Sequence, residues 1–447
     1  MPAPLLPDRP PLAIRARILS PLADGGFIDL RDGLLEIDAS GRISRLAAAE
    51  RTPTVGAGLP HVDLRPWVVM PGLVDLHAHL PQLPVAGLGH GLDLLSWLER
   101  YVFPLERGFD EEAAARLAPL AFRAMAASGT TTVLAYGAVY EGSMDVAFGA
   151  AEGHGIRAIL GKVMMDRNRY DSTIADPEVL DLSLRQSAAL CSRWHGRDGG
   201  RLGYAFTPRF AVSCSEPMLR ESARLARDTG AWWQTHLAED ASEIAEVARL
   251  FPGARDYLDV YDRAGGVFER ALFAHAVHLS AREIARLVEA GAGVAHCPAS
   301  NLFLASGVMP LGAYLDAGMR IGVGSDVAGG PELSLFSVAR IGAYAQNARR
   351  VAHADPQPPL SPSGWLRLAT LDGARAIGLE DVIGSLEAGK EADFIAVDPS
   401  RCDPVPWLAD DTDEPDEVLG RLIFRTHPSM VRGAWVRGRL LEALDDD

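Results

Sequence analysis

Cysteine is scarce in this chain. Cys191, Cys214, Cys297 and Cys402 stand far apart among 447 residues. None forms a CxxC pair, so neither a zinc knuckle nor a disulfide framework is expected, and the usage fits a reducing cytoplasm. Clustered positive charge is missing as well. The 43 Lys and Arg are outnumbered by 59 Asp and Glu, which leaves a net charge of −16 at pH 7. No run of basic residues is dense enough to follow a phosphate backbone, which argues against nucleic acid as a partner. Residues 290–315 carry no Asp, Glu, Lys or Arg, but His296, Pro298, Asn301 and Pro310 spoil them as a membrane span. The opening "MPAPLLPDRPPLAIRARI" interrupts itself with prolines and charges and does not read as a signal peptide. No Gly-rich phosphate loop follows an early strand, and there is no internal repeat. The expectation is a soluble, cytoplasmic protein with no membrane partner.

What is present is a large apolar content. Hydrophobic residues make up 48% of the chain, ample for a sizeable core. The first 65 or so residues alternate apolar and polar positions between turn signals, as in "LAIRARILSP", "FIDLRDGLLEIDASGRISRL" and "HVDLRPWVVMPG". Similar runs return at the far end, in "ADFIAVDPS" and, after the acidic "ADDTDEPDE", in "MVRGAWVRGRLLE". Strands at both ends suggest one small β-domain built from both termini. Between them lie eight β-prone runs: "WVVMPGLVDLHAH", "TTTVLAY", "RAILGKVM", "RLGYAFTP", "AWWQTHLA", "ALFAHAVHL", "AGVAHCP" and "RIGVGSDV". Helical stretches such as "EEAAARLAPLAFRAMAAS" and "EPMLRESARLARDTG" separate most of them. Strand–helix alternation means a parallel sheet, and eight units fit a (β/α)8 barrel, with an open doubly wound sheet as the alternative. The expected organisation is residues 1–67 and 381–447 as the two parts of a β-sandwich, with the barrel at 68–380.

The chemistry-bearing residues fall at strand ends. The first strand ends in His77-Ala78-His79, the fifth carries His236, the sixth ends in His275, and the eighth leads into Asp326. In a barrel these ends converge on the face that carries the active site. Positions i and i+2 of a strand share a face, so His77 and His79 can aim at one ion. Neutral imidazole and carboxylate suit zinc. The pair alone is weak, because 12 histidines would give about 0.3 such pairs by chance. Its weight comes from the joint pattern over four strands. His61, His90, His154, His195, His353 and His427 read as surface or structural histidines, and His278 and His296 as supporting or packing residues near strand ends.

These residues resemble the amidohydrolase superfamily, in which a metal-dependent (β/α)8 barrel is joined to a small β-sandwich made from both termini. "PGLVDLHAH" is similar to its first-strand signature, and "GSLEAGKEADFIAVDP" to its return from barrel to sandwich. "HAHLPQ", "WLERYVFPLE", "SGTTTV", "GKVMMDRN", "TPRFAVSCS", "THLAED", "YLDVYDRAG", "AHCPASNLFLASG" and "GVGSDVAGG" narrow the likeness to the guanine-deaminating members, from about residue 65 to 395.

The resemblance implies zinc-dependent hydrolysis of guanine to xanthine and ammonia, with attack at C2. It implies His77, His79, His236 and Asp326 as metal ligands. It implies Glu239, His275 and Asp326 as catalytic residues: Glu239 shuttles protons, while His275 and Asp326 activate the water. The substrate would meet His79, Gln82, Arg209, Phe210, His236, Glu239 and Asp326. Gln82 and Arg209 would read the lactam edge. Two-metal relatives usually place a bridging lysine at the end of the fourth strand. Arg209 stands there and Lys162 lies on the third strand, so one zinc per chain is expected. A homodimer is implied by resemblance only. Deamination of 8-oxoguanine or a pterin is the closest alternative, followed by cyclic-amide hydrolysis and by a relative that has lost its metal. Apart from the resemblance, Glu239 could simply cap the helix "ASEIAEVARL", a role that Asp240 could fill as well.

Overall fold

The computed structural model describes residues 6–49, 59–169, 176–353, 358–402 and 413–444. Eight parallel strands run in chain order around one sheet: Leu73–His79, Thr130–Tyr136, Arg157–Gly161, Leu202–Pro208, Trp232–Leu237, Ala271–His275, Gly293–His296 and Arg320–Val323. A two-residue strand, Val163–Met164, extends the third and pairs beside the fourth. The first and last strands meet through the segment that follows Val323. Asp326 N donates to His77 O at 2.7 Å and His79 N to Val327 O at 2.9 Å. The sheet is thereby all but closed, and the barrel rather than the open sheet is the observed architecture.

The strands read as continuous apolar runs because they are covered on both sides. Every residue of the second, fourth and fifth strands is buried. The helices form where expected. Glu111–Ala127 starts on Asp110, whose side chain accepts from Ala113 N. Glu216–Thr229 starts on Ser215 and stops at Gly230, in the left-handed region at φ +71°.

The terminal segments form a separate seven-stranded mixed sheet. Its order is Arg439–Leu440, Val431–Val436, Phe394–Val397, His61–Pro71, Leu12–Pro21, Phe27–Ile37 and Ile43–Ala48. Only Leu12–Pro21 and His61–Pro71 pair in parallel. Leu12, Ile14, Ala16 and Ile18 face a core of this sheet's own with Val69, Phe394 and Trp435, while Val68 and Met70 join the barrel core. The run "WVVMPGLVDLHAH" is therefore two strands. Residues 67–71 belong to the terminal sheet, and the barrel strand begins after Gly72. A Cβ on Gly72 would lie 2.0 Å from Thr131 Oγ1, so the chain can turn there only without a side chain. The acidic segment "ADDTDEPDE" lies in part outside the described residues, and its end opens the helix Pro415–Phe424. No helix among the described residues is long and apolar enough to cross a membrane.

A buried ion cluster joins barrel to sheet. Arg157, at the start of the third barrel strand, donates to Asp393 Oδ2 at 2.9 Å and Glu391 Oε2 at 2.6 Å, and Arg437 donates to the same Glu391 oxygen at 2.7 Å. Arg157→Met should cost about 3–5 kcal/mol, because it strands buried carboxylates without their cation. Burial alone would raise the Glu391 carboxyl, but Arg157 and Arg437 hold it below its ordinary 4.5. A carboxyl held low binds fewer protons in the folded state. Its contribution is thus complete above pH 4.5 and fades as the pH falls further. The variant should show a lower urea midpoint at pH 7, and the gap from wild type should shrink in acid. An unchanged midpoint would mean that the cluster contributes nothing.

Candidate active site

The histidines and carboxylates come together at the C-terminal mouth of the barrel. His77 Nε2 and His79 Nε2 lie 3.1 and 3.3 Å from Asp326 Oδ1. His236 Nε2 lies 3.3 Å from His79 Nε2. His275 Nε2 faces Glu239 Oε2 at 3.3 Å and Asp326 Oδ2 at 3.8 Å. All six lie in the barrel interior, none more than 9% exposed. Two overlapping groups could hold an ion: His77, His79 and His236, and His77, His275 and Asp326.

The backbone is bent to make this convergence. Ala238, His275, Ala276 and Asp326 all have φ between +47° and +69°. Each non-glycine residue held there costs on the order of 1 kcal/mol or more, which the surrounding packing must offset. Asp75, two residues before His77 on the same strand face, braces the last strand. Its carboxylate accepts from Ser325 N at 2.9 Å and Ser325 Oγ at 2.6 Å. Gly324 completes the close approach, since a Cβ there would sit 2.8 Å from that of His77.

Protonation states follow from burial. Desolvation lowers the His77 and His236 imidazoles, and takes His79 down to about 3. The rings are therefore neutral, the form that binds metals. The Arg209 carbonyl can only accept, so His236 Nδ1, 2.6 Å away, carries the proton and leaves Nε2 as a lone pair turned inward. Burial opposes ionisation of Asp326, yet the His77 and His79 rings beside it hold it well below the usual carboxylate range. Glu239 moves the other way. Burial, then the charges of Asp326 and Glu243, push its carboxyl well above 4.5. The two carboxyl groups on one site are thus driven apart, Asp326 towards the ionised form and Glu239 towards the protonated one.

Glu239 is not the helix cap. Asp240 caps Ala241–Leu250 by accepting from Ser242 N, and Glu243 closes the capping box. Glu239 is released to the cavity, where Oε1 accepts from Ser306 Oγ at 3.2 Å.

These side chains close around a small cavity at the barrel mouth. Gln82, Arg209 and Phe210 line it together with His79, His236, Glu239, His275 and Asp326. Trp97, Leu98 and Leu304 supply apolar walls. Phe210 stands edge-on to His236, with ring centroids 6.3 Å apart. Every residue expected at the site is thus in or beside one cavity.

The remaining histidines are elsewhere. His278 holds the Ser306 carbonyl at 2.7 Å, and His296 is buried against Trp365 below the mouth. Lys162 bonds Ser183 Oγ at 3.1 Å and lines a different cavity with Glu141 and Met165.

Several residues escaped the sequence reading. Tyr136 ends the second strand, its ring centroid 4.6 to 5.0 Å from those of His77, His79 and His236. Its strand-end position was the same signal that picked out the histidines. Asn301 Oδ1 takes the His275 Nδ1 proton at 2.9 Å. Asn301 and Ser306 are polar residues inside the charge-free stretch 290–315, a signal that was there to be used. Glu106, fully buried between Gln82 and Arg209, gave none.

The model of the amidohydrolase family matches residues 68–441. A probable guanine deaminase of Deinococcus radiodurans is 37% identical over 92% of this chain and 93% of its own length. Among solved structures, that of E. coli guanine deaminase superposes with a TM-score of 0.88 at 32% identity, covering 97% of this chain and 99% of that one. That of the C. acetobutylicum guanine deaminase, with guanine bound in its active site, gives 0.87 at 27% identity over 96% and 99%. With a family match across nearly the whole barrel, and relatives this similar from end to end, the chain belongs to the amidohydrolase family.

Proposed function

We propose that the protein catalyses the hydrolytic deamination of guanine to xanthine and ammonia, with one zinc ion per chain. The observation that carries this reading is the convergence of His77, His79, His236 and Asp326 beside a cavity lined by Glu239, Gln82 and Arg209. The names of these relatives support the substrate.

The donor set fits a metal. His77 Nε2, which faces Asp326 Oδ1 at 3.1 Å, is buried without a hydrogen-bond partner among the described residues, an arrangement that is costly unless a cation takes its lone pair. His77, His79, His236 and Asp326 would hold the ion. When bound, it supplies Lewis acidity, which makes a water nucleophilic near neutral pH.

The side chains do the rest. Phe210 and the apolar walls hold the flat ring, and Gln82 and Arg209 set which edge faces inward. His275, its tautomer fixed by Asn301, orients the attacking water through Nε2. Asp326 accepts the water's proton as the C2–O bond forms. Glu239 protonates N3 at the same time, which lets the ring take up the electron pair. It then relays the proton from Asp326 to the departing amine. The C2–N bond breaks and ammonia leaves, the C2 hydroxyl returns a proton to Glu239, and the ring becomes xanthine.

A panel of guanine, 8-oxoguanine and pterins, each assayed for ammonia release, tests the assignment. Guanine should give equimolar ammonia and xanthine. Turnover of 8-oxoguanine or a pterin with guanine untouched would replace the substrate and leave the chemistry in place.

A further inference from the structure

Glu106 has no part in that mechanism, yet it touches both residues that face the ring edge. It lies in the short helix Phe103–Arg107 and is 0% exposed. Its Oε1 accepts from Gln82 Nε2 at 2.8 Å, and its Oε2 accepts from Arg209 Nη1 at 2.5 Å. A carboxylate only accepts, so this contact decides which end of the Gln82 amide turns towards it. The amino end turns to Glu106 and gives it one of its two N–H groups. The carbonyl oxygen of Gln82 is left buried and without a hydrogen-bond partner among the described residues, on a side chain that lines the cavity. Arg209 is held on its other side by the Phe103 ring, 5.3 Å from guanidinium carbon to centroid.

We propose that Glu106 is a positioning residue that sets the hydrogen-bond polarity of the cavity: Gln82 turned to offer its carbonyl oxygen, Arg209 as donor only. The ring edge that matches has an N–H donor next to a carbonyl acceptor, which is the lactam edge of a 6-oxopurine, N1–H and O6. A 6-aminopurine edge presents the reverse. Its ring nitrogen would meet the Gln82 oxygen, lone pair against lone pair, and its amino group would meet the guanidinium, donor against donor. Both clashes would be buried, where an unmade hydrogen bond costs most. Glu106 also neutralises Arg209, so the site accepts a neutral lactam and does not demand an anion. Gln82 alone could flip its amide and serve either edge; the carboxylate behind it removes that freedom. The inference rests on the proposed function and narrows it to a class of ring edge.

Calorimetric binding to the metal-loaded full chain tests this. Hypoxanthine carries the lactam edge and lacks the 2-amino group, whereas 2-aminopurine lacks the lactam edge. Glu106→Gln should weaken hypoxanthine by about 10-fold or more while 2-aminopurine stays within about 2-fold. Glu106→Asp keeps the charge beside Arg209 but draws the carboxylate back by one methylene. It should weaken hypoxanthine by a smaller factor in the same direction, and it serves alone if the glutamine variant does not fold. Equal weakening of both ligands, or of neither, overturns the proposal. Failure of wild-type protein to release ammonia from guanine would instead sink the proposed reaction, with the ligand preference still testable.

Discussion

Glu239→Gln should leave the metal content at its wild-type value and lower kcat about 10²–10⁴-fold, the usual range for losing a general acid or base. The substitution keeps the shape and the Ser306 contact and removes only the proton. The expected size of the effect reflects how the site is charged. Burial and the neighbouring carboxylates push Glu239 towards its protonated form, which favours the acid role. The amide can donate a hydrogen bond to N3 but cannot complete a transfer. Metal analysis and steady-state kinetics on the same preparation separate this from a ligand role. A variant that arrives without metal would move Glu239 into the metal's coordination sphere, and one with normal kcat would remove it from the mechanism.

Chelation should abolish activity, and one equivalent of zinc per chain should restore it. The physical reason is the company that the imidazoles keep. Three neutral rings and a carboxylate converge at 3.1–3.3 Å in the buried barrel mouth. Bound metal should also stabilise the fold, by about 2.7 kcal/mol when free zinc is 100-fold above its dissociation constant, so the thermal midpoint should drop on chelation. His77, His275 and Asp326 form a second group that could hold an ion. If full activity needs two equivalents, that group is a second site and the one-metal assignment is wrong. If a chelated protein still turns over guanine, the metal reading fails altogether.

The parts of this site that were legible from the strand pattern alone sit at strand ends, whereas Gln82 and Glu239 were named through the resemblance. His77 and His79 declare themselves because a strand repeats every two residues. His236, His275 and Asp326 follow because parallel strands in a barrel all end on one face. Eight apolar runs gave the barrel its count for the same reason. Residues that reach the cavity from irregular backbone had no such marker. Glu106 comes from a short helix after the irregular turn Leu98–Val102, and "WLERYVFPLE" reads locally as a surface stretch with charges at its edges. The direction of the Gln82 amide was equally invisible, because it is set by a residue 24 positions away. Nor could periodicity split "WVVMPGLVDLHAH", since both halves are apolar and buried. The break at Gly72 depends on Thr131, which a local pattern does not contain.

The terminal sheet has a consequence for how the chain is made. His61–Pro71 pairs on one side with Leu12–Pro21 and on the other with Phe394–Val397, where Pro71 meets Phe394. During synthesis the first side can zip at once. The second must wait for more than 300 further residues, or tens of seconds at about 5–20 residues per second. Throughout that time an apolar strand edge that includes Val68, Val69 and Met70 is open to the wrong neighbour. The nascent chain is thus exposed to mispairing along an early strand until a segment more than 300 residues later closes it.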